Sequence, residues 1–199
     1  QELIPFREAK DIGNTYYCIH DLLIEEDRLY AATYERGLEV FDLKTGKVKS
    51  YLHNPQDSTS LPSSRIFSLY KASNGCLYIG TSNNLCRYNP QQDNFTKIGS
   101  FSDKITDIIE DYHGKIWIGT NVNGLYSYNI KTKEIRSYKS SNNPNSLPKN
   151  AITTLAIDNQ KQLWIGTYGQ GICRYNEKTD NFIRYDSLEL PNQIIASII

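Results

Sequence analysis

The sequence predicts an all-β fold assembled from four similar units, and three observations support this prediction. A strand-like pentapeptide that ends in a small residue and a threonine recurs at residues 29–33, 77–81, 116–120 and 163–167. Each copy is flanked by short segments that alternate apolar with polar residues and are rich in Tyr, Ile, Phe and Thr, as half-buried strands are. Turns rich in Asn, Gly, Asp and Lys separate the segments. Together these features predict antiparallel strands and no helices.

Each repeat contains four predicted strands, which we call a, b, c and d in chain order. Strand b is the pentapeptide. Strand a precedes it at residues 19–23, 66–70, 105–109 and 152–156. Strand c follows it at residues 37–41, 84–88, 124–128 and 171–175. Strand d centres on residues 48–51, 95–98, 135–138 and 182–185. Successive copies lie about 40 to 48 residues apart, which is the size of one propeller blade. The predicted fold is therefore β-propeller-type repeats of four-stranded antiparallel blades, about four of them, as a partial propeller.

Domain boundaries follow from the repeat. We expect a single propeller fragment over residues 1–199, with approximate repeats at residues 9–52, 62–98, 103–139 and 150–186. Residues 3–8 resemble a lone strand d, and residues 194–199 resemble a lone strand a. Pro, Asn and Ser clusters at residues 53–62 and 142–148 predict long surface loops between strands d and a. Because a closed propeller usually needs more than four blades, we expect this chain to be a piece of a longer protein.

Composition excludes several classes of function. Lys and Arg together number 22 and are balanced by 22 Asp and Glu, without a basic run, so we expect no nucleic-acid partner. No apolar stretch approaches the roughly 20 residues of a membrane span, so we expect no membrane contact. The four cysteines lack the spacing of a zinc site, and we expect four free, mostly buried thiols. We therefore expect no metal and no cofactor.

The repeated motifs resemble the two-component regulator propeller repeat. The resemblance is carried by (Leu/Ile)-(Trp/Tyr)-Ile-Gly-Thr, by Gly-(Leu/Ile)-x-x-Tyr-Asn and by the Asn-Pro-x-Ser-Leu-Pro inserts, and it covers about residues 19–199. The first copy departs from the pattern, because Ala32 replaces the glycine and Phe41 the tyrosine, so we expect that blade to be the least regular. The resemblance implies the periplasmic sensor region of a hybrid two-component system, as found in Bacteroides-type bacteria, where many such systems control polysaccharide use. It also implies histidine kinase activity in another domain of the parent protein.

The resemblance implies no active site that can be transferred to this chain. Its motif residues are structural: Gly80, Gly119 and Gly166 let strand b pack closely, and Trp117 and Trp164 fill the space between blades. We therefore expect a binding or interaction module without catalytic activity.

The strand order predicts where a ligand binds. If strand a leaves one face of the propeller and strand b returns to it, the b–c and d–a loops share that face. Loop residues there that the repeat does not explain are candidate ligand contacts, because aromatic, amide and cationic groups can hold a sugar. These candidates are Tyr34, Arg36, Arg65, Lys104, Lys149, Tyr168 and Gln170. An oligosaccharide is the ligand we expect.

Two alternative functions remain open. A propeller enzyme, a lyase or hydrolase, needs converging acid and base groups, whereas His20, His53 and His113 lie in different parts of the repeat, with His20 expected as a packed polar residue. The second alternative is a scaffold that binds protein, through self-association or through the rest of the parent ectodomain. A polar position on strand a, held by Asp21, Ser68, Asp107, Thr154 and Ser197, is expected to line a central channel and to bond neighbouring loops.

Overall fold

The computed structural model describes residues 18–185 and 195–197. Sixteen strands run through this part of the chain, and they form four separate four-stranded sheets. In chain order the strands are β1 (Ile19–Glu25), β2 (Arg28–Thr33), β3 (Leu38–Asp42), β4 (Val48–Tyr51), β5 (Ile66–Lys71), β6 (Leu77–Thr81), β7 (Asn84–Asn89), β8 (Asn94–Ser100), β9 (Ile105–Glu110), β10 (Lys115–Thr120), β11 (Leu125–Asn129), β12 (Ile135–Tyr138), β13 (Ile152–Ile157), β14 (Leu163–Thr167), β15 (Ile172–Asn176) and β16 (Asn181–Arg184).

Each sheet is an antiparallel meander whose spatial order is the chain order a, b, c, d. The first strands of successive blades, β1, β5, β9 and β13, lie side by side, so they surround the common axis of the blades. The fourth strand of each blade lies outermost. This arrangement confirms the predicted all-β fold of propeller-type blades.

Turn chemistry explains why strands c and d form hairpins. In the first blade the Asp42 side chain accepts hydrogen bonds from the backbone N–H groups of Lys44 (3.0 Å) and Thr45 (2.8 Å). In the third blade the Asn129 side chain accepts hydrogen bonds from the backbone N–H groups of Lys131 and Thr132 in the same way. Asx turns of this kind fix the reversal of the chain before a left-handed residue closes it. That residue is Gly46, Asp93, Lys133 or Asp180 in the four blades.

A β-bulge lies at the second residue of strand a in every blade. In the first blade the pairing with strand b passes from Ile19 to Asp21 and skips His20. The other three blades skip the equivalent residues, which are Phe67, Thr106 and Thr153. A bulge leaves one residue outside the ladder and redirects its side chain. The first blade shares this feature with the others, so the expectation that it is the least regular is not met in its strand pairing.

The hydrophobic core lies between the blades in three clusters, one for each pair of neighbours. Glycine on strand b permits the close approach: a Cβ on Gly119 would lie 2.7 Å from Cγ2 of Ile152, which belongs to the next blade. Trp117 is fully buried, and its ring lies 4.6 Å from that of Tyr175 in the next blade. The structural roles predicted for these motif residues are confirmed where the neighbouring blade is described.

A cluster of hydroxyl and carboxylate groups joins two of the three blade pairs near their outer edge. The Asp180 side chain accepts hydrogen bonds from the hydroxyls of Tyr175 (2.6 Å) and of Tyr138 in the preceding blade (2.9 Å). Asp93 accepts equivalent bonds from Tyr88 and Tyr51 between the first and second blades. Between the second and third blades the equivalent turn residue is Lys133, whose ammonium lies 5.9 Å from the ring of Tyr128.

Several sequence expectations lie at or beyond the ends of the described residues. The predicted strand at residues 3–8 lies outside them, as do residues 9–17 of the first repeat. Residues 195–197 are not paired as a strand, yet Ile195 contacts Gly166 as Ile152 contacts Gly119. The repeat boundaries therefore stay a prediction.

The cysteines correct one expectation. None of the four forms a disulfide bond, but only Cys86 and Cys173 are buried, whereas Cys76 is partly buried and Cys18 is exposed. Cys18 precedes β1, at the edge of the described chain. Among the described residues, no group of three or more potential metal ligands comes together.

Candidate functional site

The four bulge residues meet in one cavity at the axis of the blades. This axial cavity has a volume of about 290 Å³ and is lined by His20, Phe67, Lys104, Thr106, Asn121, Ala151, Ile152, Thr153 and Tyr168. The skipped residue of each strand a points away from the ladder, and the strands surround the axis, so all four side chains converge. The rest of the lining comes from the first residue of β13, Ile152, and from the b–c and d–a loops.

Backbone hydrogen bonds hold these two kinds of loop together. The N–H of Asn121, in a b–c loop, donates to the carbonyl of Lys104, in a d–a loop, at 3.0 Å. The N–H of Tyr168 donates to the carbonyl of Ala151 at 2.9 Å in the next blade. The predicted common face of the b–c and d–a loops is therefore present, and its loops rest on rigid strands.

Aromatic rings form one wall of the cavity. The His20 ring lies 4.7 Å from that of Phe67, and Tyr34 extends this cluster with ring centroids 5.9 Å and 6.1 Å from the two. The Lys104 ammonium lies 5.0 Å from the centroid of Phe67, and the Arg65 guanidinium lies 5.1 Å from that of Tyr34. Partial burial, with a further contribution from the positive charge of Lys104, lowers the pKa of His20.

The two lining threonines use their hydroxyl protons within the fold. Thr106 donates to the carbonyl of Ile152 at 2.9 Å, and Thr153 donates to the carbonyl of Ile195. Each bond joins one blade to the next. The hydroxyl oxygens consequently retain acceptor capacity toward the cavity.

Two carboxylates of the predicted polar ring lie on the same strands, one residue beyond the bulge. Asp21 accepts from the N–H of Leu69 at 2.7 Å, and Asp107 accepts from the N–H of Leu155 at 2.6 Å. Each donor N–H belongs to strand a of another blade, whereas the sequence predicted bonds to loops. Burial raises the pKa of Asp107 to about 6, against the effect of its backbone hydrogen bonds.

The structure brings together four of the seven predicted site residues. Lys104 and Tyr168 line the axial cavity, and Arg65 and Tyr34 lie in the adjoining aromatic cluster. Arg65 also pairs with Glu35 at 3.2 Å. Arg36 is directed elsewhere, toward the buried Glu39, 3.4 Å away. Lys149 and Gln170 are exposed and are not part of the cavity lining.

Sequence reasoning missed the bulge residues as site residues. His20 was expected to be a packed polar side chain, but it is exposed at the cavity. The available signal was that this position varies among His, Phe and Thr directly after an isoleucine that is constant in all four repeats. A position that the repeat leaves free is one that packing does not determine.

The remaining histidines are not part of the lining of this cavity. His53 contacts the carbonyl of Leu61 in a d–a loop, at 2.7 Å. His113 pairs with Glu177 at 2.6 Å across the third and fourth blades, in a cavity of about 580 Å³ lined by a–b and c–d turns. This larger cavity lies on the opposite face. The structure thus places the three histidines at three separate sites.

Parts of this chain are similar in sequence to known proteins. Residues 60–83, 99–122 and 146–169 match the family model described as two component regulator propeller. Each match runs from a d–a loop through strands a and b, and so includes the bulge position of the second, third and fourth blades. A curated histidine kinase, P4 from Formosa agariphila, is 33% identical over 99 residues, which are 44% of this chain and 7% of that protein.

Solved structures share the fold. The extracellular domain of a hybrid two component system, BT4673 from B. thetaiotaomicron, is 26% identical, with a TM-score of 0.69, over 86% of this chain and 23% of that one. The corresponding BT3049 domain from the same organism is 19% identical, with a TM-score of 0.73, over 89% and 25%. Virginiamycin B lyase from Staphylococcus aureus is 15% identical, with a TM-score of 0.66, over 88% and 58%.

The two low-identity matches show the propeller fold alone, and this chain spans about a quarter of the extracellular domains it resembles. In the described part of the chain, no helix is long and apolar enough to cross a bilayer. The three family matches, the four-bladed structure and the motifs agree that residues 60–83, 99–122 and 146–169 of this chain are similar to the two-component regulator propeller repeat.

Proposed function

We propose that this chain belongs to the periplasmic sensor region of a hybrid two-component signal-transduction protein, and that its axial cavity binds an oligosaccharide. The observation that carries the proposal is the convergence of four bulge residues with Lys104 and Tyr168 in one cavity. The matched extracellular domains and the histidine kinase relative support the signalling role and the location. Control of polysaccharide use is the biological role that fits such a sensor.

The cavity has the chemistry that a sugar requires. Phe67 and the exposed Tyr168 offer ring faces for the apolar side of a pyranose. The Asn121 side chain supplies amide donors, and the threonine oxygens accept from sugar hydroxyls. Small-ligand sites commonly combine such apolar walls with a few placed polar groups.

We propose binding without catalysis for this chain. The titratable groups of the cavity lining are His20, Lys104 and Tyr168, and the carboxylates of Asp21 and Asp107 are engaged by backbone N–H groups. Kinase activity belongs, in this proposal, to another domain of the parent protein. Turnover of a glycan by the purified chain would contradict this part of the proposal.

Thermal unfolding with a panel of plant, host and microbial oligosaccharides tests the binding proposal. A ligand at about a hundredfold its Kd adds about 2.7 kcal/mol, which shifts the Tm by several degrees. Tyr168→Ala is expected to abolish the shift. Tyr112→Ala is the matched control, because Tyr112 is similarly exposed (52% against 56%) but lies on the opposite face. Equal loss in both variants would contradict the assigned site.

A scaffold that self-associates is the second candidate. Strand β1 exposes Leu22 (55%) and Ile24 (71%) on the first blade, whereas the equivalent strands of inner blades are covered by their neighbours. We propose a second copy of the chain as the partner. Light scattering across protein concentration is expected to show dimers that Ile24→Lys reduces. A monomeric mass at every concentration would exclude this candidate.

A further inference from the structure

We propose that the axial cavity selects an acidic sugar, a saccharide unit bearing a carboxylate or a sulfate, and that Lys104 binds the acidic group. This inference rests on the proposed sugar-binding function and specifies its ligand class. It follows from the charge of the lining, from the hydrogen bonds and ion pairs that nearby carboxylates already form, and from the hydrogen-bonding capacity that the lining retains.

The lining has a net positive charge. Its described residues include one lysine, Lys104, and no aspartate or glutamate. Lys104 is partly buried, and it has no ion-pair partner among the residues that the structure describes. Its ammonium lies over the face of the Phe67 ring, 5.0 Å from the ring centroid. An acid group at this point would give the ammonium an anionic partner next to an apolar wall.

The carboxylates near the cavity are held by other groups. Asp103 accepts from the N–H groups of Lys104, Val122 and Asn123, so its oxygens are directed into the loop. Glu35 pairs with Arg65 at 3.2 Å. The Asp21 and Asp107 side chains accept backbone N–H bonds one residue beyond the bulges. Lys104 therefore dominates the charge that a ligand meets in the cavity.

The neutral lining groups require a hydroxylated ligand. Thr106 and Thr153 have already donated their protons to backbone carbonyls, so toward the cavity they can only accept. Sugar hydroxyls supply the matching donors. A simple inorganic anion would satisfy Lys104 but not these acceptors, and a neutral sugar would satisfy the acceptors but not Lys104. A saccharide with one acidic substituent satisfies both.

Isothermal titration calorimetry can separate the parts of this inference. The probes are oligogalacturonate, its methyl ester, oligoglucuronate and a sulfated galactan oligosaccharide. We expect at least one acidic probe to bind wild-type protein about tenfold more tightly than the neutral ester, with an affinity that falls as salt is raised. The carboxylate and sulfate probes distinguish the two kinds of acid.

Lys104→Gln is the decisive variant. It is expected to weaken acidic probes about tenfold and to leave the ester within twofold, and Lys131→Gln on an exposed c–d turn is the matched control with no effect. If the ester and the acids bind wild type equally and Tyr168→Ala removes both, the acidic selectivity is wrong and sugar binding stands. If no probe binds, the acidic selectivity is wrong, and the thermal-unfolding panel decides whether sugar binding stands.

Discussion

His20, Phe67, Thr106 and Thr153 occupy the same position in four repeats, and a β-bulge removes each from strand pairing. A side chain released from the ladder is free of the packing demands that fix its neighbours. The repeat can therefore vary this one residue without disturbing the blade, as it does here with an imidazole, a phenyl ring and two hydroxyls. In our proposal these residues contact the ligand, and Thr106 and Thr153 also bond the next blade through their hydroxyl groups.

Gly119 shows the opposite case, a residue fixed by packing. Gly119→Ala places a Cβ 2.7 Å from Cγ2 of Ile152, and we expect the free energy of unfolding to fall by about 1 to 3 kcal/mol in urea titrations. Ile152→Ala removes the clashing methyl group. The double variant should consequently lose less stability than the two single variants together. If the losses in free energy of unfolding are additive, the clash between the new Cβ and Ile152 does not cause the destabilisation.

Asp107 predicts a pH dependence of stability. Its pKa is raised by burial to about 6 from an ordinary value of 3.8, so the folded state holds the proton more tightly than the unfolded state. The stabilisation is complete below about pH 4 and is lost as pH rises through about 6. Each pKa unit corresponds to about 1.4 kcal/mol, so the wild-type Tm should fall by several degrees between pH 4.5 and 7.

Asp107→Asn should flatten this dependence, because an amide has no proton to lose, while its carbonyl oxygen can still accept from Leu155. Asp21, whose pKa is also raised by burial, accounts for the slope that remains. Calorimetry of both proteins across this pH range makes the comparison. Parallel pH profiles would contradict the assignment to Asp107.

At the scale of the strand and hairpin, most of the structure could be predicted from sequence. Alternating segments and Asx turns specify where strands begin and end, since Asp42 and Asn129 bond the backbone that follows them. The bulges could not be predicted, because a bulge is a property of the pairing between two strands and is not specified by one strand alone. The orientation of the Arg36 side chain toward buried Glu39 also depends on a neighbouring strand and has no local signal.

The c–d turns differ between blades in a way that predicts stability. Asp180 accepts from two tyrosine hydroxyls that belong to adjacent blades, so Asp180→Asn should lower the free energy of unfolding by about 1 kcal/mol through weaker hydrogen bonds. Lys133→Asn is a matched control, since Lys133 holds the same left-handed turn position without such bonds. We expect it to change stability by less than about 0.5 kcal/mol.

Chemical denaturation of the two turn variants under one set of conditions makes the comparison. Asparagine tolerates the left-handed conformation at both sites, so differences in backbone strain are small. A loss at Lys133→Asn as large as that at Asp180→Asn would assign the effect to the turn itself and not to the tyrosine contacts.

At the scale of the whole molecule, the blades share their hydrophobic cores with their neighbours and their axis with all the others. The sequence predicted that neighbouring blades share their cores, because a repeat of this length cannot bury both of its faces alone. It also predicted from strand order that the b–c and d–a loops share one face, and Tyr34, Arg65, Lys104 and Tyr168 lie together there. It could not predict the cavity, because four bulges separated by about 40 residues or more each define it jointly.

NMR chemical-shift mapping can test directly whether the bulge residues form a sugar-binding site. The amide resonances of isotopically labelled protein would be followed during titration with the saccharide that gives the largest thermal shift. We expect the largest changes in amide chemical shift at the bulge residues and in two loops: His20, Phe67, Thr106 and Thr153, and the loops at Lys104 and Tyr168. Changes centred on the opposite face, around Tyr112 and Glu177, would contradict it.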